Sequence, residues 1–236
     1  LGKRLASRKK GRRKSRPNDG TAALSRLRDK YLELEAYDGS SLPVEGWCLA
    51  GIDEAGRGAF AGPVVAAAVV LPRGSELLGV DDSKRLTEDQ REKLFPVIVR
   101  TAIAVGIACS HAGLIDRKNV LNASLMAMAR AAQNLRLRPD IILLDGRDRI
   151  DLPGRVVPVV GGDARSLSIA AASIVAKVTR DRLMRRLHRL EPRYNFISNK
   201  GYGTREHIDA IREHGMTPFH RRTYCVWAVE NAPRLF

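Results

Sequence analysis

The chain has 236 residues, 41 Lys or Arg against 26 Asp or Glu, a formal charge of +15, 44% apolar residues and 5% aromatics. That length fits one large domain or two small ones with ample material for a core. No apolar run reaches the roughly 18 residues of a membrane-spanning helix, so a membrane span is excluded. Cys48, Cys109 and Cys225 lie far apart and suit neither a disulfide framework nor a zinc site, so a reducing cytoplasm is the expected compartment.

The positive charge is concentrated at the start. Residues 1–20 hold nine basic residues and one acid, a surplus of eight that leaves +7 for the remaining 216. They have no apolar core segment behind them and do not read as a secretory signal. Residues 1–25 cannot bury enough apolar surface to offset chain entropy and are expected to form a disordered basic arm. Such a run is most often a solubilising tail; its sharper reading is an anchor that follows a phosphate backbone by releasing counterions. The body stays basic without it, which independently suggests a polyanionic partner. The chain opens on Leu rather than Met, as a fragment or processed chain would.

In chain order, residues 26–46 are expected to form a short helix, over 24–37, and a linker, punctuated by Asp38-Gly39-Ser40-Ser41-Leu42-Pro43. Residues 48–53 read as a buried strand and 63–71 as a second, and the short link between them fits an antiparallel hairpin. A helix over 87–101 carries Thr87 as N-cap and Gln90 as its capping-box partner. Residues 103–109 form a third strand, and apolar positions 121, 125, 128, 132 and 135 mark a helix over 119–137. Strands over 140–144 and 155–159, a long helix over 166–190 and another over 204–214 complete the pattern. Strands first, then helices alternating with strands, predict an α/β domain: a mixed sheet with helices packed on it, running from 47 to 236.

Four acids break the expected pattern. Asp53 and Glu54 follow the apolar run Trp47-Cys48-Leu49-Ala50-Gly51-Ile52. Neighbouring strand side chains point to opposite faces, so the chain is expected to leave extended geometry between them if both serve one site. The glycines of Ala55-Gly56-Arg57-Gly58 suit such a turn. Asp145 ends the strand Ile141-Ile142-Leu143-Leu144, where ligands of open α/β sheets collect, although Asp before Gly is also a common turn. Asp181 shares a helical stripe with Ile174 and Val178. An i,i+4 salt bridge to Lys177 would explain its neighbour but not its core-facing position, which is costly without a partner or bound cation. Carboxylates converging from two strand ends and a helix make a hard oxygen site that favours Mg²⁺ or Mn²⁺. Beside a basic surface, two such ions suit a phosphodiester substrate.

The segment GIDEAGRGAFAGPVVAAAVVL (51–71) closely resembles the signature of the type 2 ribonucleases H, the ribonuclease HII family. DDSKRLT (81–87), NVLNASLMAM (119–128), LLDG (143–146), GGDARSLSIAAASIVAKVTRD (161–181), NKGYGT (199–204) and HRRTY (220–224) follow in family order. The resemblance implies a ribonuclease H-like fold with a C-terminal helical extension from about residue 191. It implies cutting of RNA paired with DNA, and 5′ to single ribonucleotides in duplex DNA, leaving 5′-phosphate and 3′-hydroxyl ends. It places the four metal carboxylates on Asp53, Glu54, Asp145 and Asp181. By that analogy Asp53 bridges both ions, Glu54 and Asp145 lean toward the leaving-group ion, and Asp181 leans toward the ion that activates water. Gly56, Arg57 and Gly58 match the family's 2′-hydroxyl reader, as close backbone approach requires. Tyr202 matches a tyrosine that stacks on the sugar past the RNA–DNA junction, though a loop aromatic sealing the core is an equal reading. Ser83, Lys84 and Lys177 match positions expected near backbone phosphates.

Ala59-Phe60 and Thr223-Tyr224 depart from the family's usual Pro-Leu and Ser-Phe, which touches loop packing rather than chemistry. No clear sliding-clamp motif stands at the C-terminus, and a monomer is expected. The sister family, ribonuclease HIII, would carry Gly-Thr-Gly in the turn and Glu as the fourth carboxylate. A non-catalytic RNA- or DNA-binding protein would share the charge but has no use for acids within a basic surface.

Overall fold

The computed structural model describes residues 19–231. Its centre is a five-stranded sheet of β1 (Leu49–Ala55), β2 (Val64–Val70), β3 (Ala104–Ser110), β4 (Ile141–Asp145) and β5 (Arg155–Val159). The order is β3-β2-β1-β4-β5. The first three strands form an antiparallel meander, as the hairpin reading expected, and β4 and β5 add on parallel to β1. β2 is buried along its whole length, so its sequence is a continuous apolar run rather than an alternation.

Helices cover both faces. One is packed by α4 (Val120–Gln133), whose Ala127, Met128 and Ala131 meet Ile52, Ala66, Ala68 and Leu144. On the other, α5 (Leu167–Leu190) sets Ala171, Ile174, Val175 and Val178 against Ala67 and Val69. The approach of α5 is close enough to require Gly51, because a Cβ there would lie 2.1 Å from the Ser168 carbonyl carbon. Outside α5 runs α2 (Glu88–Thr101), opened by the expected capping box between Thr87 and Gln90.

Several features depart from the expectation, among them the end of α4 at Gln133 rather than 137 and the unexpected short helix over Phe196–Asn199. A helix α1 spans Asp19–Ser41, overrunning both the supposed end of the arm and the Asp38-Gly39-Ser40-Ser41 punctuation. Tyr31 and Leu34 explain why: they are buried against α5, and that packing outweighs the roughly 1 kcal/mol that a helical glycine costs. Residues 1–18 of the expected arm lie outside the described residues. Short α3 (Ala112–Lys118) and, near the C-terminus, α8 (Arg222–Asn231) lack the length or periodicity that would reveal them. With α6 (Phe196–Asn199) and α7 (Arg205–His214), α8 completes a C-terminal helical lobe around Tyr194, Phe196, Ile211 and Cys225. Among the described residues no helix is long and apolar enough to cross a membrane.

Candidate active site

The site forms where the two central strands part. β1 and β4 pair as far as Ile52 and Leu144, so Asp53 and Asp145 stand one step beyond the last paired residues of adjacent parallel strands. Asp53 lies across from Ala67, on the face that α5 covers. The strand does not leave extended geometry between the two acids as expected. Its pairing with β2 continues through Glu54 and Ala55, and the turn comes afterwards at Gly56. Glu54 therefore points to the opposite face from Asp53.

Asp163 completes a group that sequence reasoning missed. It sits on the 3₁₀ turn Gly162–Ala164, just before α5. Carboxylate oxygens of Asp53, Asp145 and Asp163 all lie within 4.8 Å of one another. The Gly162 amide donates to Asp145 Oδ1 at 2.7 Å, tying this turn to the end of β4. Burial, then the charges of Glu54 and Asp145, push the Asp53 carboxyl well above the usual carboxylate range. Burial and the Asp163 charge raise Asp145. Burial and the Asp145 charge raise Glu54, although nearby Arg57 opposes them. Glu54 thus lies outside the trio yet within its field.

Asp181 does not join them. Lys177 Nζ donates to its Oδ1 at 2.8 Å and Arg91 Nη2 lies 3.9 Å from its Oδ2. Ser173, whose hydroxyl helps to stabilise the charged form of Asp53, stands eight residues earlier on α5, about 12 Å of helical rise away. The core-facing acid is paid for by this ion pair, and Arg91 in turn donates to the carbonyls of Ser83 and Leu86, pinning the 83–86 segment. Of the four expected acids, the structure brings Asp53 and Asp145 together with Asp163, while Asp181 is held in its own ion pair.

The trio fits a hard divalent cation. Three buried or half-buried carboxylates offer oxygen alone, and the one side-chain ammonium hydrogen-bonded to them among the described residues is that of Lys84, 3.0 Å from Asp163 Oδ2. Burial works against that ammonium, but Asp163, Asp82 and Asp53 outweigh it and its pKa rises. One lysine cannot balance a cluster whose own charges raise one another's pKa values.

Of the residues expected to bind substrate, only Lys84 has a direct bond to this group. In the loop after β1, Arg221 donates to the carbonyls of Gly56, Arg57 and Gly62, and Arg180 to those of Ala61 and Pro63. Gly56 has φ +96°, and a Cβ there would fall 1.9 Å from Arg180 Nε. Both guanidiniums are fully buried, and burial followed by the Arg180 charge lowers Arg221 to about 10. Tyr202 is 37% exposed, with Arg180 Cζ 5.3 Å from its ring centroid and Lys177 Nζ at 5.9 Å. Ser83, expected near a backbone phosphate, is buried, and its hydroxyl meets that of Ser173 at 2.9 Å. Lys177 is engaged with Asp181, whereas the Lys84 side chain remains 77% exposed. The two departures from the family pattern meet each other, with the Phe60 and Tyr224 rings 6.3 Å apart.

This sheet, with acids gathered at the ends of β1 and β4, has the architecture of a ribonuclease H-like fold. The fold matches the crystal structure of ribonuclease H2 from Pyrococcus horikoshii OT3 with TM-score 0.65 and 27% identity, covering 78% of this chain and 97% of that one. It matches the structure of the PCNA:RNase HII complex from Archaeoglobus fulgidus with TM-score 0.62 and 29% identity, covering 74% and 93%. Ribonuclease HII of Syntrophus aciditrophicus is 50% identical over 197 residues, 83% of this chain and 90% of its own length. The family model for Ribonuclease HII matches residues 50–227, and the chain belongs to that family.

Proposed function

We propose that this chain hydrolyses the RNA strand of RNA–DNA hybrids and incises duplex DNA 5′ to a single embedded ribonucleotide, leaving 5′-phosphate and 3′-hydroxyl ends. The observation that carries this reading is the convergence of Asp53, Asp145 and Asp163 beside a glycine loop gripped from within by two buried arginines. Asp53, Asp145 and Asp163 would hold divalent cations, Mg²⁺ or Mn²⁺, with Glu54 at their edge. When bound, a pair of such ions supplies an activated water and neutralises charge on the leaving 3′ oxygen.

The remaining work falls to the chain itself. Because Arg221 occupies the carbonyls of Gly56 and Arg57, the loop is fixed from behind. The amides of Arg57 and Gly58 donate no hydrogen bond to the rest of the described chain, which suits them to a 2′-hydroxyl. Tyr202, exposed above the Arg180 guanidinium, suits a ring stacked on the sugar past the junction better than one sealing a core. Lys84, mostly exposed at the rim, suits a backbone phosphate.

A duplex carrying one ribonucleotide, incubated with Mg²⁺, with Mn²⁺ and with chelator, tests the reading. Incision 5′ to the ribonucleotide with metal, and none in chelator, is expected. A chain that cuts long hybrids but leaves that duplex intact would remove the junction-reading role from the loop and Tyr202.

A further inference from the structure

Helix α1 lies outside the 50–227 span of the family match, yet three of its residues grip the segment that carries Asp163. Lys30 Nζ donates to the Ala164 carbonyl at 2.9 Å. Asp38 accepts from Ser166 Oγ at 2.5 Å and from the Ser168 amide at 2.9 Å. The Arg165 guanidinium lies 4.9 Å from the centroid of the Tyr37 ring. Positions 164, 165, 166 and 168 are thus all held by one helix. Tyr31 and Leu34 fix that helix by burying in the same core as Leu167 and Ala171.

The turn needs such support. A 3₁₀ turn has poorer hydrogen-bond geometry than an α-helix and holds its shape weakly. This one is closed by the amides of Ala164, Arg165 and Ser166 on the carbonyls of Gly161 and Gly162. Those bonds fix its shape, and the Gly162 amide on Asp145 Oδ1 ties its first residue to the end of β4, which leaves the side beyond Asp163 to be held. Capping explains part of what Asp38 does, since the first amides of α5 lack helical partners and Ser166 satisfies that of Ile169. Capping does not explain Lys30. A cation gains nothing from a helix N-terminus, and this ammonium goes to the carbonyl of the residue next to Asp163.

We propose that α1 is a positioning element of the carboxylate site: through Lys30, Tyr37 and Asp38 it fixes the turn that presents Asp163, so that divalent-cation affinity depends on a helix outside the family span. This rests on the metal-holding role proposed for Asp163. Mn²⁺ binding to the full chain is measured by calorimetry without nucleic acid, for the parent, Asp163→Asn, Lys30→Met, Lys30→Arg and Asp38→Asn. Hybrid affinity and melting temperature in chelator are read alongside.

Asp163→Asn is expected to weaken Mn²⁺ severely. Lys30→Met and Asp38→Asn should each weaken it about tenfold, the lower end of what removing a partner behind a metal ligand costs. Lys30→Arg should restore most of the loss, and hybrid affinity in chelator should stay at the parent value. If Asp38→Asn also lowers the melting temperature, Lys30→Met decides, because its ammonium is replaced without opening the core. Parent-like Mn²⁺ affinity in Lys30→Met, with Asp163→Asn weakened, overturns the proposal and leaves the site reading standing. Parent-like affinity in Asp163→Asn removes both.

Discussion

At the scale of single residues, two aspartates in similar burial have different surroundings. Asp163 faces two other carboxylates and one mostly exposed lysine, Lys84, whereas Asp181 faces two cations. Asp163→Asn should therefore lower metal-dependent turnover by at least about a hundredfold with little loss of stability. Asp181→Asn should do the reverse. It leaves Lys177 and Arg91 without their shared carboxylate, costing about 2–3 kcal/mol, while activity per folded molecule is largely kept. Urea unfolding alongside single-turnover cleavage separates the two, and a catalytically dead, fully stable Asp181→Asn would restore the original quartet. The sequence made Asp53 and Asp145 legible because each ends an apolar run. Asp163 was not, because Gly-Gly-Asp-Ala is ordinary turn composition in which an Asp needs no further reason. Asp181 misled because helical periodicity reports the face a side chain occupies, not the cation waiting there.

At the scale of elements, the C-terminal lobe is joined to the Tyr202 loop through two buried histidines. His207 Nδ1 lies 2.9 Å from the Tyr202 carbonyl and must donate to it, which leaves Nε2 as an acceptor. His220 Nε2, 3.1 Å away, then donates, and its Nδ1 accepts from the Thr217 amide at 3.0 Å. Both rings are neutral in this arrangement, and protonating either sets two donors against each other. Burial, then the His207 charge, lowers His220 to about 4, and burial lowers His207. Glu206 and Glu191 oppose these shifts. A histidine whose pKa is lower in the fold than in the unfolded chain takes up its proton mainly on unfolding. Stability should accordingly fall as pH drops from about 6.5 toward 4, by roughly 2 kcal/mol once solvent access is discounted. Urea midpoints across that range should show the slope, and His220→Asn should flatten it; an equal slope in the variant would place the acid sensitivity elsewhere. The strands and the helices α2, α5 and α7 were legible here within a residue or two because apolar runs and caps such as Thr87, Ser166 and Thr204 mark them, whereas α4 ends at Gln133, four residues before the expected 137. Helix α8 was not, because its Tyr-Cys-Val-Trp run carries no helical period.

At the scale of the whole molecule, charge is divided between a body of +7 and the first twenty residues. Removing residues 1–18 should weaken hybrid binding and reduce its salt dependence, without shifting the cut position. Binding measured from 50 to 200 mM salt checks this, and an unaltered slope would mean that the arm takes no part. The overall architecture could be read because alternating strands and helices admit few arrangements, while α1 was read short because its reason for being helical lies in its contact with α5 rather than in its own composition.

The parallel seam between β1 and β4 joins segments about ninety residues apart, and Asp163 comes later still. During synthesis the β1–β3 meander can close long before its missing neighbour has left the ribosome. A nascent chain ending before β4 holds only Asp53 and Glu54 of the acids gathered here, so nuclease capacity should switch on only after the segment carrying Asp163 has emerged. Stalled ribosome complexes halted before and after the codons for residues 141–190 would display that timing as a step in Mn²⁺ uptake.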